Sequence, residues 1–145
     1  MAVDGGAGRV LAVDWGQRRF GVALSDPTRL IAQPLTTITR RPKQRAPVAA
    51  LAALAAEHGV TALVVGLPLT MGGDEGDAAR AARALGDALA ARTGLPVHYV
   101  DERMTTAHAL KSARRAGVKE ADTRARIDQM AAVGILQAFL DRSDR

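Results

Sequence analysis

The first third of the chain alternates short hydrophobic runs with turn residues. Residues 10–13 and 20–24 are continuous apolar runs separated by a polar turn, a pattern that predicts a β-hairpin. Residues 30–39 are rich in β-branched side chains and predict a third strand. Pro34 within that strand indicates an edge position, because proline cannot donate a backbone hydrogen bond to a neighbouring strand.

Helical and strand patterns alternate over the rest of the chain. The predicted helices cover residues 47–58, 77–92, 105 or 106 to 115, and 122–140, and the predicted strands cover 62–65 and 97–100. Thr105 or Thr106 is the expected cap of the third helix, and Asp122 that of the fourth. Parallel strands need crossovers that cover both sheet faces. The sequence therefore predicts an α/β fold with a mixed five-stranded sheet, three antiparallel strands followed by a β-α-β unit, flanked by helices.

Composition narrows the class of protein. The 145 residues favour one domain, with residues 1–8 and 141–145 expected to fray. The chain has no cysteine, which excludes disulfides, cysteine-based zinc sites and thiol nucleophiles. No apolar run approaches the roughly 18 residues of a membrane span, so a cytoplasmic protein is expected. The net charge of +5 favours nucleic acid as partner, although a GC-rich genome would also enrich arginine.

Acidic residues end two of the predicted strands. Asp14 ends the central strand, and Asp101 and Glu102 end the last one. Ligands usually bind at the carboxyl ends of such strands. Adjacent side chains on a strand point to opposite faces, so only one of Asp101 and Glu102 can face Asp14. Any one of these acids alone could instead be a solvated turn residue.

A fourth acid, Asp128, interrupts the apolar stripe of the last predicted helix. It shares a helix face with Ala131 and Ile135, three and seven residues further on. One interpretation is a surface ion pair with Arg124, four residues earlier. The other is that the helix docks this carboxylate against the sheet beside Asp14.

Carboxylates that converge in this way repel one another unless a cation lies among them. Hard oxygen ligands suit Mg²⁺ or Mn²⁺, which can activate water and stabilise a leaving oxygen in phosphodiester hydrolysis. The sequence therefore predicts a metal-dependent nuclease site built from Asp14, Glu102 and Asp128, with Asp101 as the alternative to Glu102.

Four sequence blocks follow one another along nearly the whole chain. They are residues 11–26 (LAVDWGQRRFGVALSD), residues 66–68 with 75–76, residues 101–103 with 105–106, and Asp128 followed by 131–132 and 135–137. Together they resemble the YqgF/RuvX family, the pre-16S rRNA nucleases related to Holliday junction resolvases. That family is similar to RNase H in fold, so the resemblance implies an RNase H-like domain.

The resemblance also implies a site and a substrate. The family's metal carboxylates fall on Asp14, Glu102 and Asp128, with Glu102 preferred to Asp101. It implies Mg²⁺ or Mn²⁺ as cofactor, processing of the 5′ end of pre-16S rRNA, and structured RNA as partner of a monomer or homodimer. Trp15 occupies a position that is usually smaller in the family. It could alter how substrate stacks there, but a partly exposed packing residue is the favoured interpretation.

Basic residues near the acids are candidate contacts to nucleic-acid phosphates, because cationic side chains supply most of the affinity for a phosphate backbone. They are Arg18, Arg19, Arg103, Lys111, Arg114 and Arg115.

Other functions are compatible with the same residues. Resolution of branched DNA is one, and it calls for a symmetric dimer with two active sites. A non-catalytic RNA-binding assembly factor that keeps the fold is another. The Asp-x-Gly turn after Val13 also opens the phosphate-binding hairpin of actin-like and sugar-kinase proteins, but those proteins resemble two such domains around a cleft and this chain has room for one.

Overall fold

The protein is described by a computed structural model that covers residues 4–117 and 120–143, with backbone alone at 113–116 and 143. Its five strands form one sheet in the order β3-β2-β1-β4-β5. They are β1 (Val10–Asp14), β2 (Arg19–Ser25), β3 (Ala32–Thr39), β4 (Ala62–Leu67) and β5 (Val97–Asp101). The pairs β1–β2 and β2–β3 are antiparallel, and β1–β4 and β4–β5 are parallel. The predicted mixed sheet is confirmed, with β1 central and the proline-containing β3 at an edge.

Four helices cover this sheet. They are α1 (Val48–Glu57), α2 (Asp77–Thr93), α3 (Ala107–Gly117) and α4 (Ala121–Ser143), and a 3₁₀ turn (Glu102–Met104) precedes α3. The Thr105 hydroxyl accepts a hydrogen bond from the Ala107 N–H at 3.1 Å, which agrees with a threonine cap for α3. Within residues 4–117 and 120–143, no helix is long and apolar enough to cross a membrane.

Helix α4 differs from the sequence prediction at both ends. The Arg124 N–H already bonds to the carbonyl of Glu120, so Asp122 lies in the first turn and is not the cap. At the other end α4 continues to Ser143, across part of the segment that was expected to fray. The Gln137 side chain donates to Asp141 one turn later and thereby supports this extension.

The two faces of the sheet carry separate hydrophobic clusters. Val10 and Ala12 of β1 pack with α4, whereas Leu11 and Val13 pack with α1 and α2. All five residues of β1 are buried, because successive side chains of a covered strand enter opposite layers. Asp14 lies two residues after Ala12, so its side chain is on the same face of the sheet as those of Val10 and Ala12. This is the face that α4 covers.

Two glycines let α4 approach the sheet beside Asp14. Gly21 pairs with Asp14 in the β1–β2 register, and a β-carbon at Gly21 would lie 1.9 Å from the carbonyl oxygen of Asp128. A β-carbon at Gly66 would lie 2.5 Å from Ile135 Cδ1 and 3.1 Å from Glu102 Cγ. Because neither position has a side chain, α4 and the residues that follow β5 can pack closely against the sheet there.

An ion pair holds the described start of the chain, in a segment that was expected to fray. Both Asp4 oxygens accept hydrogen bonds from Arg29, at 2.7 and 2.9 Å, and Asp4 also contacts His98 at 2.9 Å. Arg29 adopts a positive φ of 62° and is almost fully buried. The pairing explains the burial, because a guanidinium leaves water only when its donors are satisfied.

We expect Gly21→Ala to lower the free energy of unfolding by about 1–3 kcal/mol, because the added methyl group must push α4 away from the sheet. Urea denaturation measures this change. Gly5→Ala is the matched control, since a β-carbon there has no atom within 4 Å, and it should change stability by less than about 0.5 kcal/mol. Equal stability of the two variants would contradict the close approach.

Asp4 makes stability depend on pH. The hydrogen bond from Arg29 lowers the pKa of Asp4 from 3.8 to about 2. The folded-state pKa is thus the lower one, so the ion pair stabilises the fold above about pH 4, and this contribution is lost as the pH falls from about 4 to 2.

We therefore expect Asp4→Asn to cost about 1–2 kcal/mol at pH 7 and almost nothing near pH 2. Asp77→Asn, which removes an exposed pair with Arg80, should cost little at either pH. Urea denaturation at several pH values measures both variants, and a penalty for Asp4→Asn that does not depend on pH would be the contrary result.

Candidate active site

Asp14 and Glu102 share one ammonium group at the carboxyl end of the sheet. Lys111 Nζ lies 2.6 Å from Asp14 Oδ1 and donates a hydrogen bond of 2.8 Å to Glu102 Oε1. The same ammonium lies 3.3 Å from the carbonyl oxygen of Trp15, which accepts a further hydrogen bond. Asp14 and Glu102 are 2% and 3% exposed, so this is a buried ion cluster.

Three elements bring the cluster together. Asp14 ends β1, and Glu102 follows β5, two strands away on the same edge of the sheet. Val100 faces the α4 layer, and Glu102, two residues later, lies in the same layer against Gly66. Lys111 enters from α3, the helix that begins just after the 3₁₀ turn.

Burial controls the ionisation of this cluster. Loss of water raises the pKa of the Asp14 carboxyl well above its usual value, Lys111 opposes that rise, and Glu102 adds to it. Burial lowers the pKa of Lys111, but the two carboxylates raise it more, so its net pKa lies above the usual value. Lys111 is therefore the cation that permits two acids to be buried side by side.

The oxygen atoms of this cluster suit a divalent cation. Asp14 Oδ1 is buried, and among the described residues its partner is the Lys111 ammonium at 2.6 Å. Carboxylate oxygens are the ligands that Mg²⁺ and Mn²⁺ take in proteins. Two acids that already share one cation fit the predicted metal.

The third predicted ligand, Asp128, stands apart from this pair. Its carboxylate is 1% exposed and accepts a 2.8 Å hydrogen bond from Arg19 Nε. Its backbone lies over Gly21, the residue opposite Asp14 on β2. Among residues 4–117 and 120–143, no three acidic or histidine side chains are close enough to hold a metal ion. The structure thus brings Asp14 and Glu102 together, whereas the Asp128 carboxylate is paired with Arg19.

Asp101 takes no part in the buried cluster. It accepts hydrogen bonds from Arg103, the shortest of them 2.7 Å, and these bonds lower the pKa of its carboxyl. Strand alternation sends Asp101 to the face opposite Val100, toward solvent at the end of β5. Of the two neighbouring acids, Glu102 is the one beside Asp14.

A cleft of about 540 Å³ opens above the cluster. The predicted phosphate contacts among its lining residues are Arg18, Arg19, Arg103 and Lys111. In the described part of the chain the Arg18 side chain has no ion pair, whereas Arg19, Arg103 and Lys111 each pair with an acid. The side chains of Arg114 and Arg115 lie outside the described residues.

Comparison with known proteins identifies the family. The RuvX family, described as "Holliday junction resolvase", matches residues 8–142. This chain belongs to the RuvX family. A "Putative pre-16S rRNA nuclease" of Roseiflexus sp. (strain RS-1) is 49% identical over 134 residues, which cover 92% of this chain and 94% of that protein. One of the same name from Mycobacterium tuberculosis (strain ATCC 25177 / H37Ra) is 47% identical over 141 residues, covering 97% and 82%.

Structural comparison of this RuvX family member confirms the fold. It resembles T. thermophilus RuvC in complex with Holliday junction substrate, with a TM-score of 0.55 and 17% identity, over 93% of this chain and 95% of that one. The predicted RNase H-like fold is thus confirmed.

Two ion pairs were missing from the sequence analysis. Lys111 and Arg19 were both assigned to phosphate, whereas the structure pairs Lys111 with Asp14 and Arg19 with Asp128. Lys111 lies four residues after Ala107, which is buried, and therefore on the inner face of α3. That spacing was the available signal, since a lysine on a buried helix face requires an acidic partner.

Lys111→Met tests whether the Lys111 ammonium stabilises the two buried carboxylates. We expect it to lower stability by about 3–5 kcal/mol in metal-free buffer, because it leaves two carboxylates without a counter-ion. Lys43→Met, at an exposed position, is the control and should be close to neutral.

A double-mutant cycle with Asp14→Asn supplies the decisive comparison. The loss in the double variant should be smaller than the sum of the two single losses by about 1–3 kcal/mol. Additive losses would show that the two groups do not interact.

Proposed function

We propose that this protein is a divalent-metal-dependent nuclease that processes the 5′ end of pre-16S rRNA. The observation that carries the proposal is the pair of buried carboxylates, Asp14 and Glu102, that already share one cation at the bottom of a basic cleft. Buried acids are costly, and a fold retains them where a site needs their charge.

Asp14 and Glu102 would hold Mg²⁺ or Mn²⁺, and Asp128, which pairs with Arg19, is the proposed third ligand. When bound, the ion supplies Lewis-acid polarisation of the scissile phosphodiester and activation of water. Lys111 lines the same cleft, and its ammonium would be a partner for a substrate phosphate. Arg18 is available for phosphate, and Arg103 lines the same cleft.

The names of the relatives support RNA as the substrate. Curated proteins 46–50% identical to this chain over most of its length carry the name pre-16S rRNA nuclease. We further propose that the protein acts in the cytoplasm on structured RNA, as a monomer or a homodimer.

Resolution of branched DNA is the second candidate. The observation in its favour is the description of the matching family as a Holliday junction resolvase. It requires two active sites on one substrate, and hence a symmetric dimer.

Cleavage of a 5′-extended pre-16S RNA and of a four-way DNA junction, each with Mg²⁺ or Mn²⁺, tests both candidates. Asp14→Asn and Glu102→Gln should each lower the cleavage rate by about 100-fold or more, because each removes a charge that holds the metal. Asp101→Asn should lose less than about tenfold, since among the described residues that acid is paired with Arg103 alone.

Glu57→Gln, an exposed acid at the end of α1, is the control and should cleave like the wild type. Preference for the RNA supports rRNA processing, and preference for the junction supports resolution. Metal-independent cleavage, or full activity of Asp14→Asn, would overturn the proposed site. Binding without cleavage by any of the proteins would favour an RNA-binding assembly factor.

A further inference from the structure

The cleft above the carboxylates has an apolar wall as well as a basic one. Trp15, Pro68, Leu69 and Ala78 line it together with the cationic residues. Two methionines lie next to Arg103: Met104 follows it in the chain, and the carbonyl of Met71 lies 3.5 Å from its guanidinium. These two residues are 79% and 81% exposed.

A phosphate backbone alone cannot account for the apolar wall. The outside of a duplex presents charged phosphates and sugars, and its bases are stacked inside. An unpaired nucleotide offers both surfaces at once, a charged phosphate and a flat base whose faces stack on aromatic side chains. The cleft volume of about 540 Å³ lies within the range of small-ligand pockets and far below that of a duplex.

We propose, resting on the nuclease function above, that this cleft binds an unpaired nucleotide, with its base against Trp15 and its phosphate toward Arg18 and the buried carboxylates. The site thereby selects single-stranded or frayed nucleic acid over a continuous duplex. This assigns Trp15 a substrate-binding role, whereas the sequence favoured mere packing.

Trp15 is held in a fixed position by its neighbours. The edge of Phe20 meets the indole at a ring distance of 6.5 Å and an angle of 88°, and the Arg40 guanidinium lies 6.0 Å from the indole centroid. The ring is half-buried and packs partly into the core. A rigid aromatic surface loses little entropy when a base stacks on it.

The backbone of Trp15 lies next to the residues that are proposed to act in cleavage. Its carbonyl accepts the hydrogen bond from Lys111, and Asp14 is the preceding residue. A base bound against Trp15 would thus lie in the same cleft that Glu102 and Lys111 line, where cleavage is proposed to occur.

Trp15 is the only tryptophan of the chain, so its fluorescence reports directly on this site. The full-length protein in EDTA, where no cleavage can occur, is titrated with a single-stranded RNA 12-mer. Two probes of the same length accompany it, an abasic ribose-phosphate strand and the RNA duplex. We expect the single strand to quench Trp15 and to bind more tightly than either of the others.

Variants separate stacking from packing. Because the variants lack the only tryptophan, their affinities are measured by the fluorescence anisotropy of dye-labelled strands, with the wild type measured in the same way. Trp15→Leu keeps an apolar side chain but removes the aromatic face, and it should weaken single-strand binding by about 10- to 100-fold. Binding of the abasic strand should change by less than about threefold in this variant, because that strand has no base to stack. Trp15→Phe should retain most of the single-strand affinity, and thermal unfolding of each variant confirms that it is folded.

Three results would overturn the proposal: equal quenching by the abasic strand, equal or tighter binding of the duplex with the same quenching, or unchanged single-strand affinity of Trp15→Leu. Failure of the proposed function looks different, because it appears as absent cleavage in the metal-dependent assay, whereas this titration uses neither metal nor cleavage.

Discussion

Burial of two carboxylates at the end of the sheet is the constraint to which the rest of the structure responds. Asp14 and Glu102 are almost free of solvent, and the electrostatic cost of bringing them together would be prohibitive without a cation. Lys111 meets that need from α3. This three-way contact joins α3, the turn that leads into it and the floor of the cleft.

The close packing of α4 against the sheet is the second requirement, and it depends on two glycines, which have no side chain. Gly21 lets the backbone of Asp128 rest directly on β2, and Gly66 leaves room for both Ile135 and Glu102. The site therefore lies where α4 packs closely against the sheet, and the backbone that frames it cannot shift without unpacking the core. Such rigidity suits a site that must hold charged groups in fixed positions.

Much of the architecture could be predicted from local signals. Apolar runs, the edge position of Pro34 and the helix spans follow from side-chain periodicity, turn residues and the geometry of proline, all of which act over a few residues. Asp14 at the end of the central strand and the preference for Glu102 over Asp101 followed from strand alternation and the family resemblance. The ends of α4 were less predictable, because a backbone hydrogen bond at Glu120 and a side-chain pair at Asp141 decide them.

The sequence by itself determined that the fold begins with antiparallel strands, that it belongs to the α/β class and that acids end two of the strands. Each of these features depends on residues that are close together in the chain. The tertiary structure alone decided the partners of the charged groups. Arg19 and Asp128 are 109 residues apart in the chain, and Lys111 meets Trp15 across 96. Spacing cannot reveal such pairs, because which acid a buried cation reaches depends on how closely helices pack against the sheet.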